Sequence, residues 1–168
     1  MSPKSILSQT AAEKKLRRMA MEVLERHHSG GDLMLIGIRH NGWLIAEKLY
    51  GLLKPDYAGN LQLAALQINK RQPAEVNLEP VLSCKEKKII LIDDVANSGR
   101  TLLYALRPLL QEYPHQIETL VLVARTHRSF PVALDYVGLS VSTSPHEFIA
   151  VSVSGKELSG AAIESTAY

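Results

Sequence analysis

The residues best suited to chemistry run Asp93-Asp94-Val95-Ala96-Asn97-Ser98-Gly99-Arg100-Thr101, directly after the apolar stretch Ile89-Ile90-Leu91-Ile92. Two adjacent carboxylates leave a buried strand, and a loop carrying a small hydroxyl residue and a glycine then opens a helix. A helix N-terminus offers unpaired N–H groups and the positive end of its dipole, which suits a phosphate monoester. Gly99 allows close backbone approach, while Ser98 and Thr101 add hydroxyl donors. Asp93 and Asp94 are acceptors suited to ribose hydroxyls or to waters on a magnesium ion. Phosphate at one end and a diol at the other describe a ribose 5-phosphate. An acidic pair alone would fit a plain Asp-rich turn before a capped helix. The apolar strand before it and Ser-Gly-Arg-Thr after it make the binding reading the better one. The chain has no Gly-Lys-Ser/Thr phosphate loop, and Gly37 and Gly42 do not make a dinucleotide fingerprint.

The elements that must position these residues follow from apolar periodicity. Leu16, Met19, Ala20, Val23 and His27 share one face of a helix predicted between Ala11 and His28, opposite Lys14, Lys15, Arg18, Glu22 and Glu25. Gly30-Gly31 ends it. Leu33 to Ile38 is short and continuously apolar, as in a strand buried on both faces. Gly42 begins a second helical pattern that Pro55 stops, and Leu61 to Ile68 reads as another strand. A polar stretch runs from Asn69 to Glu79. After the strand Ile89–Ile92, helical spacing resumes from Gly99 to Pro114. Leu120 to Val123 is a fourth strand, with weaker candidates at Tyr136–Leu139 and Phe148–Val153. Short apolar strands alternating with amphipathic helices predict an α/β fold, a mostly parallel central sheet flanked by helices. Ligands in such sheets bind outside the carboxyl ends of the strands, so chemistry belongs after Ile38, Ile68, Ile92 and Val123. Without repeats, linkers or low-complexity tracts, residues 1–168 read as a single domain.

Composition narrows the classes. Hydrophobic residues make up 46% and charged residues 21%, which excludes general disorder. The start of the chain is too polar for a secretory signal, and no apolar run is long enough to span a bilayer. A net charge of +2 does not by itself argue for nucleic acid. The one cysteine, Cys84, beside Lys85-Glu86-Lys87-Lys88, reads as a surface-loop bystander in a reducing cytoplasm. The six histidines show no metal spacing, and His27-His28 reads as a solvated C-terminal turn.

The segment Ile89 to Thr101 resembles the binding motif for 5-phosphoribosyl-1-diphosphate (PRPP) of the type I phosphoribosyltransferases, whose fold carries a small hood. The similarity to one branch, the bacterial pyrimidine-operon attenuation regulators, covers nearly the whole chain. It includes Leu35-Ile-Gly-Ile-Arg-His-Asn-Gly42, Leu44 to Leu49, Leu122-Val-Ala-Arg-Thr-His-Arg128 with Pro131, Asp135 to Gly138, and Ser142-Thr-Ser144. Members of that branch bind pyrimidine-operon messenger RNA and also act as uracil phosphoribosyltransferases. The resemblance implies that Asp93 and Asp94 hold the ribose hydroxyls and, through water, Mg²⁺. It implies that residues Ala96, Asn97, Ser98, Gly99, Arg100 and Thr101 bind PRPP and wrap its 5-phosphate. Arg39, His40, Asn41 and Gly42 would hold pyrophosphate, and Arg125 and His127 would lie at the base pocket. The hood would come from Asn69 to Asn77, with Lys70 or Arg71 as its catalytic cation. A homodimer or larger homo-oligomer is implied as well.

Four features depart from that branch. Its pyrophosphate loop usually has Thr-Arg-Gly where this chain has His40-Asn41-Gly42, and its hood carries Tyr-Arg-Asp-Asp in place of Asn69-Lys70-Arg71-Gln72. Ala124 and Thr126 replace an acidic residue and a glycine. In the 6-oxopurine enzymes an aspartate faces the purine, and here Asn97 stands at that position, which argues against hypoxanthine or guanine. Two readings remain: nucleobase phosphoribosyl transfer, with uracil the first candidate, or a PRPP-sensing regulator with little catalysis. The regulator reading gains RNA contacts from Lys14, Lys15, Arg17 and Arg18 but has Met21 where a histidine is expected, and no aromatic platform. Phosphate contacts release counterions, so RNA affinity through this helix should fall steeply with salt, and removing the four charges should flatten the slope. Anisotropy titrations on leader RNA and a scrambled control test this. A preference for the leader that survives physiological salt would favour the regulator, whereas equal, salt-sensitive binding would leave the helix a solvated face.

Overall fold

The structure is a computed structural model that describes residues 3–68, 76–80 and 82–165. A short strand, β1 (Lys4–Ser8), leads into helix α1 (Gln9–Arg26), whose start is fixed by the Ser8 hydroxyl accepting from the Ala11 N–H at 3.3 Å. Alternating elements follow: β2 (Asp32–Ile38), α2 (Asn41–Leu53), β3 (Asn60–Ile68), β4 (Val76–Glu79), β5 (Lys88–Ala96), α3 (Arg100–Leu110) and β6 (Gln116–Arg125). Three further strands, β7 (Tyr136–Val141), β8 (Glu147–Ser154) and β9 (Glu157–Ser165), complete the described residues.

The strands form two sheets. The central one has the order β4-β3-β2-β5-β6-β7, with β3, β2, β5, β6 and β7 parallel and β4 antiparallel at the edge. The mostly parallel sheet expected from the strand–helix alternation is therefore present. The second sheet is a small antiparallel one, β1-β9-β8, in which Lys4 pairs with Ile163 across almost the whole chain. Neither β1, β4 nor β9 was anticipated from periodicity, and β7 and β8 run longer than expected.

Both faces of the central sheet are covered, which is why its strands are apolar throughout. Leu16, Met19 and Val23 of α1, with Ile45 and Leu49 of α2, pack against Leu35 and Ile90 on one face. Leu102, Ala105 and Leu109 of α3 pack against Met34, Ile36, Ile89 and Leu91 on the other. Removing a fully buried leucine or isoleucine from water is worth roughly 1.5–3 kcal/mol, so these layers carry most of the folding drive.

Two expectations need correction. His27 is not solvated: it is 4% exposed, and its Nε2 lies 2.7 Å from Glu118. It lies on the apolar face of α1, and the start of β6 supplies a polar partner there. The buried Tyr136 hydroxyl donates to the same carboxylate at 2.9 Å. Burial, then that contact, pushes the tyrosine well above its usual range, so it remains a donor. His28 is exposed, as expected. Cys84 is also buried, at 1% exposure, beneath its charged neighbours. Burial and then Glu112 push its thiol up, away from the reactive thiolate.

Gly42 sets how close α2 comes to β5. A β-carbon there would meet the Ile92 carbonyl oxygen at 2.6 Å and the Asp93 Cα at 3.0 Å. Gly51, in the same helix, has nothing within 4 Å of the same atom. Gly42→Ala should therefore cost about 1–3 kcal/mol, whereas Gly51→Ala should be neutral or stabilising, since alanine is the better helix former. Urea unfolding midpoints measure both; equal stability of the two variants would refute the close-packing account.

Candidate functional site

The strand order reverses direction at β2. From it the chain steps outward to β3, while β5 lies on its other side. The carboxyl ends of β2 and β5 therefore bound the crevice where open α/β sheets bind ligands. Residues Arg39 to Gly42 leave β2 into α2, and residues Asp93 to Thr101 leave β5 into α3, so the topology brings the two predicted loops together.

The acidic pair sits at that junction, but not exposed, as a strand end would suggest. Asp93 is 1% and Asp94 8% exposed, because β5 continues past them to Ala96 and the first turn of α2 lies against them. Asp94 Oδ2 accepts from Asn41 Nδ2 at 2.7 Å, and its Oδ1 accepts from the Val95 N–H at 2.9 Å. Asp93 Oδ1 accepts from the Asp94 N–H at 3.0 Å. A buried carboxylate is costly unless hydrogen-bonded, and these donors hold both side chains in place.

The loop beyond is shaped for close approach. Gly99 has φ +82°, a left-handed conformation that favours glycine, and a β-carbon there would meet Val132 at 2.8 Å. The Ser98 carbonyl accepts from the N–H groups of Ser129 and Phe130 at 3.1 and 3.0 Å, which ties the loop to the segment after β6. Its hydroxyl accepts from the Arg100 N–H at 3.3 Å. The result is a cavity of about 300 Å³ lined by residues Asp93 to Leu102 and by Ile149, Ala150 and Val151 of β8. All of the predicted PRPP-loop residues line it.

The other predicted residues are placed differently. Arg39 donates to Glu79 Oε2 at 3.2 Å and stacks over Trp43, and its peptide bond to His40 is cis. His40 is exposed, while Asn41 and Gly42 touch the acidic pair. Arg125 and His127 do not line the cavity: Arg125 donates to the Ser144 carbonyl at 2.8 Å, and His127 is exposed. The Ser144 N–H in turn binds Glu147 at 2.8 Å and, with Lys4 and Arg125 nearby, holds its carboxyl below the usual range. Lys70 and Arg71 lie outside the described residues, as does most of the predicted hood. On α1, Lys14 and Arg17 are exposed, Lys15 is half-buried, and Arg18 pairs with Glu22 and donates to the Val137 and Gly138 carbonyls at 2.7 and 3.1 Å. Sequence reasoning missed the β8 wall. An edge strand from a distant sheet leaves no local motif to find.

Among the described residues no group of three or more His, Cys, Asp or Glu could hold a metal ion. Asp93 and Asp94 nevertheless supply the hard oxygen donors that magnesium takes, with waters and substrate oxygens completing its shell.

An α/β sheet with an acidic strand end facing a glycine-pinned loop, at the switch point of the strand order, defines a protein class. The family model for the phosphoribosyl transferase domain matches residues 2–156. The chain belongs to the phosphoribosyltransferase family. It is 32% identical over 160 residues to the bifunctional protein PyrR of Clostridium acetobutylicum, which covers 89% of this chain and 90% of the relative. The PyrR of Pediococcus pentosaceus is 35% identical over 162 residues, covering 89% and 92%. Among solved structures, the hypoxanthine phosphoribosyltransferase of Trypanosoma cruzi superimposes with a TM-score of 0.78 at 15% identity, over 96% of each chain. A hypoxanthine-guanine phosphoribosyltransferase from Bacillus anthracis gives 0.73 at 16% identity, over 95% of each. At that identity the structural likeness concerns the fold.

Asparagine keeps the size of aspartate and removes its charge. Asp93→Asn with Asp94→Asn should therefore leave a folded protein while abolishing Mg²⁺-dependent PRPP binding. Calorimetry on the double variant, after circular dichroism has shown it folded, decides the matter; unchanged affinity would sink the assignment of the pair.

Proposed function

We propose that this chain transfers the phosphoribosyl group of PRPP to a nucleobase, with uracil the first candidate, and releases pyrophosphate. The observation that carries the reading is the convergence of the acidic pair and the glycine-pinned loop in one cavity at the β2–β5 crevice. Asp93 and Asp94 would hold the ribose hydroxyls, and the N–H groups and hydroxyls from Ala96 to Thr101 would hold the 5-phosphate. That fixes C1′ between the two loops. The C1′–O bond to the diphosphate breaks, a base nitrogen bonds to C1′, and the base loses its proton. Catalysis rests on positioning and on neutralising the departing charge. Arg39 and the main chain of His40 to Gly42 would hold the leaving group, and Lys70 or Arg71 would supply a further cation. Magnesium, when bound at the acidic pair, would supply further positive charge to the diphosphate.

The base is argued from Asn97, which cannot take up a proton at neutral pH, and from the PyrR relatives. Arg125 and His127 remain our candidates for the base end. A second reading, a PRPP-sensing regulator that binds RNA with little catalysis, draws on Arg39, whose charge is already paired with Glu79. Against its RNA form, Arg18 is committed to Glu22 and to β7. We extend the proposal to a cytoplasmic homodimer or larger homo-oligomer; the buried, inert Cys84 suits a reducing compartment.

Pyrophosphate release from PRPP and Mg²⁺, measured with a panel of bases, tests the reading. Uracil should turn over faster than hypoxanthine or guanine under matched conditions. A faster purine would reverse the base assignment, and no release with any base would leave the sensing role.

A further inference from the structure

The small sheet ends in β8, whose outer edge has no strand beside it among the described residues. Such an edge presents main-chain N–H and C=O groups in search of partners. Here two asparagines from the central domain supply them. The Ile149 N–H donates to Asn97 Oδ1 at 2.9 Å, and Asn97 Nδ2 donates to the Ile149 carbonyl at 3.0 Å. The carboxamide thus matches both groups of one residue, as a neighbouring strand would. Two residues along, the Val151 carbonyl accepts from Asn41 Nδ2 at 3.3 Å, and the same nitrogen donates to Asp94 at 2.7 Å. Ile149 itself is 2% exposed and lines the cavity with the phosphate loop.

We propose that Asn97 is a positioning residue: its two-point amide pair fastens the free edge of β8 to the phosphate loop and so builds the far wall of the site. Asparagine fits the task because it offers one donor and one acceptor in a plane. Aspartate at the same position offers two acceptors when ionised and faces the Ile149 carbonyl with a negative charge. When protonated, it offers a donor and an acceptor again, with nearly the same shape. The two-point pair in Asn97→Asp should therefore form at low pH and be reduced to the single bond from the Ile149 N–H as pH rises through the introduced group's pKa, because donation to the Ile149 carbonyl needs the neutral form. The other charged groups lining the cavity are Asp93, Asp94 and Arg100, all present in the wild-type protein, which serves as the control at each pH.

The readout is hydrogen exchange at the Ile149 amide in the full chain, as protection relative to the intrinsic rate at each pH. Asn97→Ala should lower protection at Ile149 by about tenfold or more while Ile90 in β5 keeps its own. Asn97→Asp should show wild-type protection at low pH and a value between wild type and alanine at neutral pH, where the carboxylate still accepts from the Ile149 N–H but no longer donates to the Ile149 carbonyl. Unchanged protection at Ile149 in the alanine variant, or protection independent of pH in the aspartate variant, would overturn the proposal. Should the alanine variant not fold, the aspartate series decides alone. A kinetic arm rests on the proposed transferase function: the Michaelis constant for the base should rise in Asn97→Asp at neutral pH and recover as pH falls. Wild-type protein that turns over no base would count against the transferase and leave the exchange result standing.

Discussion

The structure depends on keeping two carboxylates out of water at the end of β5. Burying such charges is costly unless each is hydrogen-bonded. Here the donors come from the main-chain N–H groups of Asp94 and Val95 and from Asn41. Asn41 reaches Asp94 because the α2 helix starts immediately beside β5, and only a residue without a β-carbon fits at position 42. The short loop after β2, the parallel pairing of β2 with β5, and the glycine are parts of one arrangement. It holds the carboxylates oriented before any ligand arrives, which is the condition for electrostatic preorganisation.

A second arrangement closes the same space from the far side. The parallel sheet supplies the acidic pair and the phosphate loop, but its strand ends alone would leave an open shelf. The antiparallel sheet, built from both ends of the described chain, brings β8 across it. Asn41 serves both arrangements, since one nitrogen donates to Asp94 and to β8. The wall and the floor of the cavity are therefore coupled through side-chain amides as well as through the apolar cluster that Ile149 joins. The amide contacts are individually modest, about 1 kcal/mol each.

How much of this was legible in the sequence follows from how local each signal is. Strands β2 and β5 are buried on both faces, so their apolar runs stand out, and the acidic pair at the end of one is a local motif. Helices α2 and α3 follow from apolar spacing between glycine and proline. The small sheet is different. Its pairing of Lys4 with Ile163 is non-local, and β1, β8 and β9 are half-exposed strands with weak alternation. Burial was also misread where polar partners come from afar. His27 reads as solvated because Glu118 and Tyr136 are distant in sequence, and the turn of α2 that lies against Asp93 and Asp94 cannot be seen in β5 itself. The base end stayed obscure for a related reason: Arg125 bonds to Ser144, not to the cavity its position in the motif implies.

The central claim is that one cavity at the β2–β5 crevice holds both a phosphate and a ribose diol. Calorimetric titration of the wild-type chain with PRPP and with ribose 5-phosphate, each with and without Mg²⁺, tests it most directly. The account predicts one site per chain, PRPP binding that requires Mg²⁺, and competition between the two ligands. Absence of PRPP binding in the presence of Mg²⁺, or binding that ribose 5-phosphate does not displace, would contradict it.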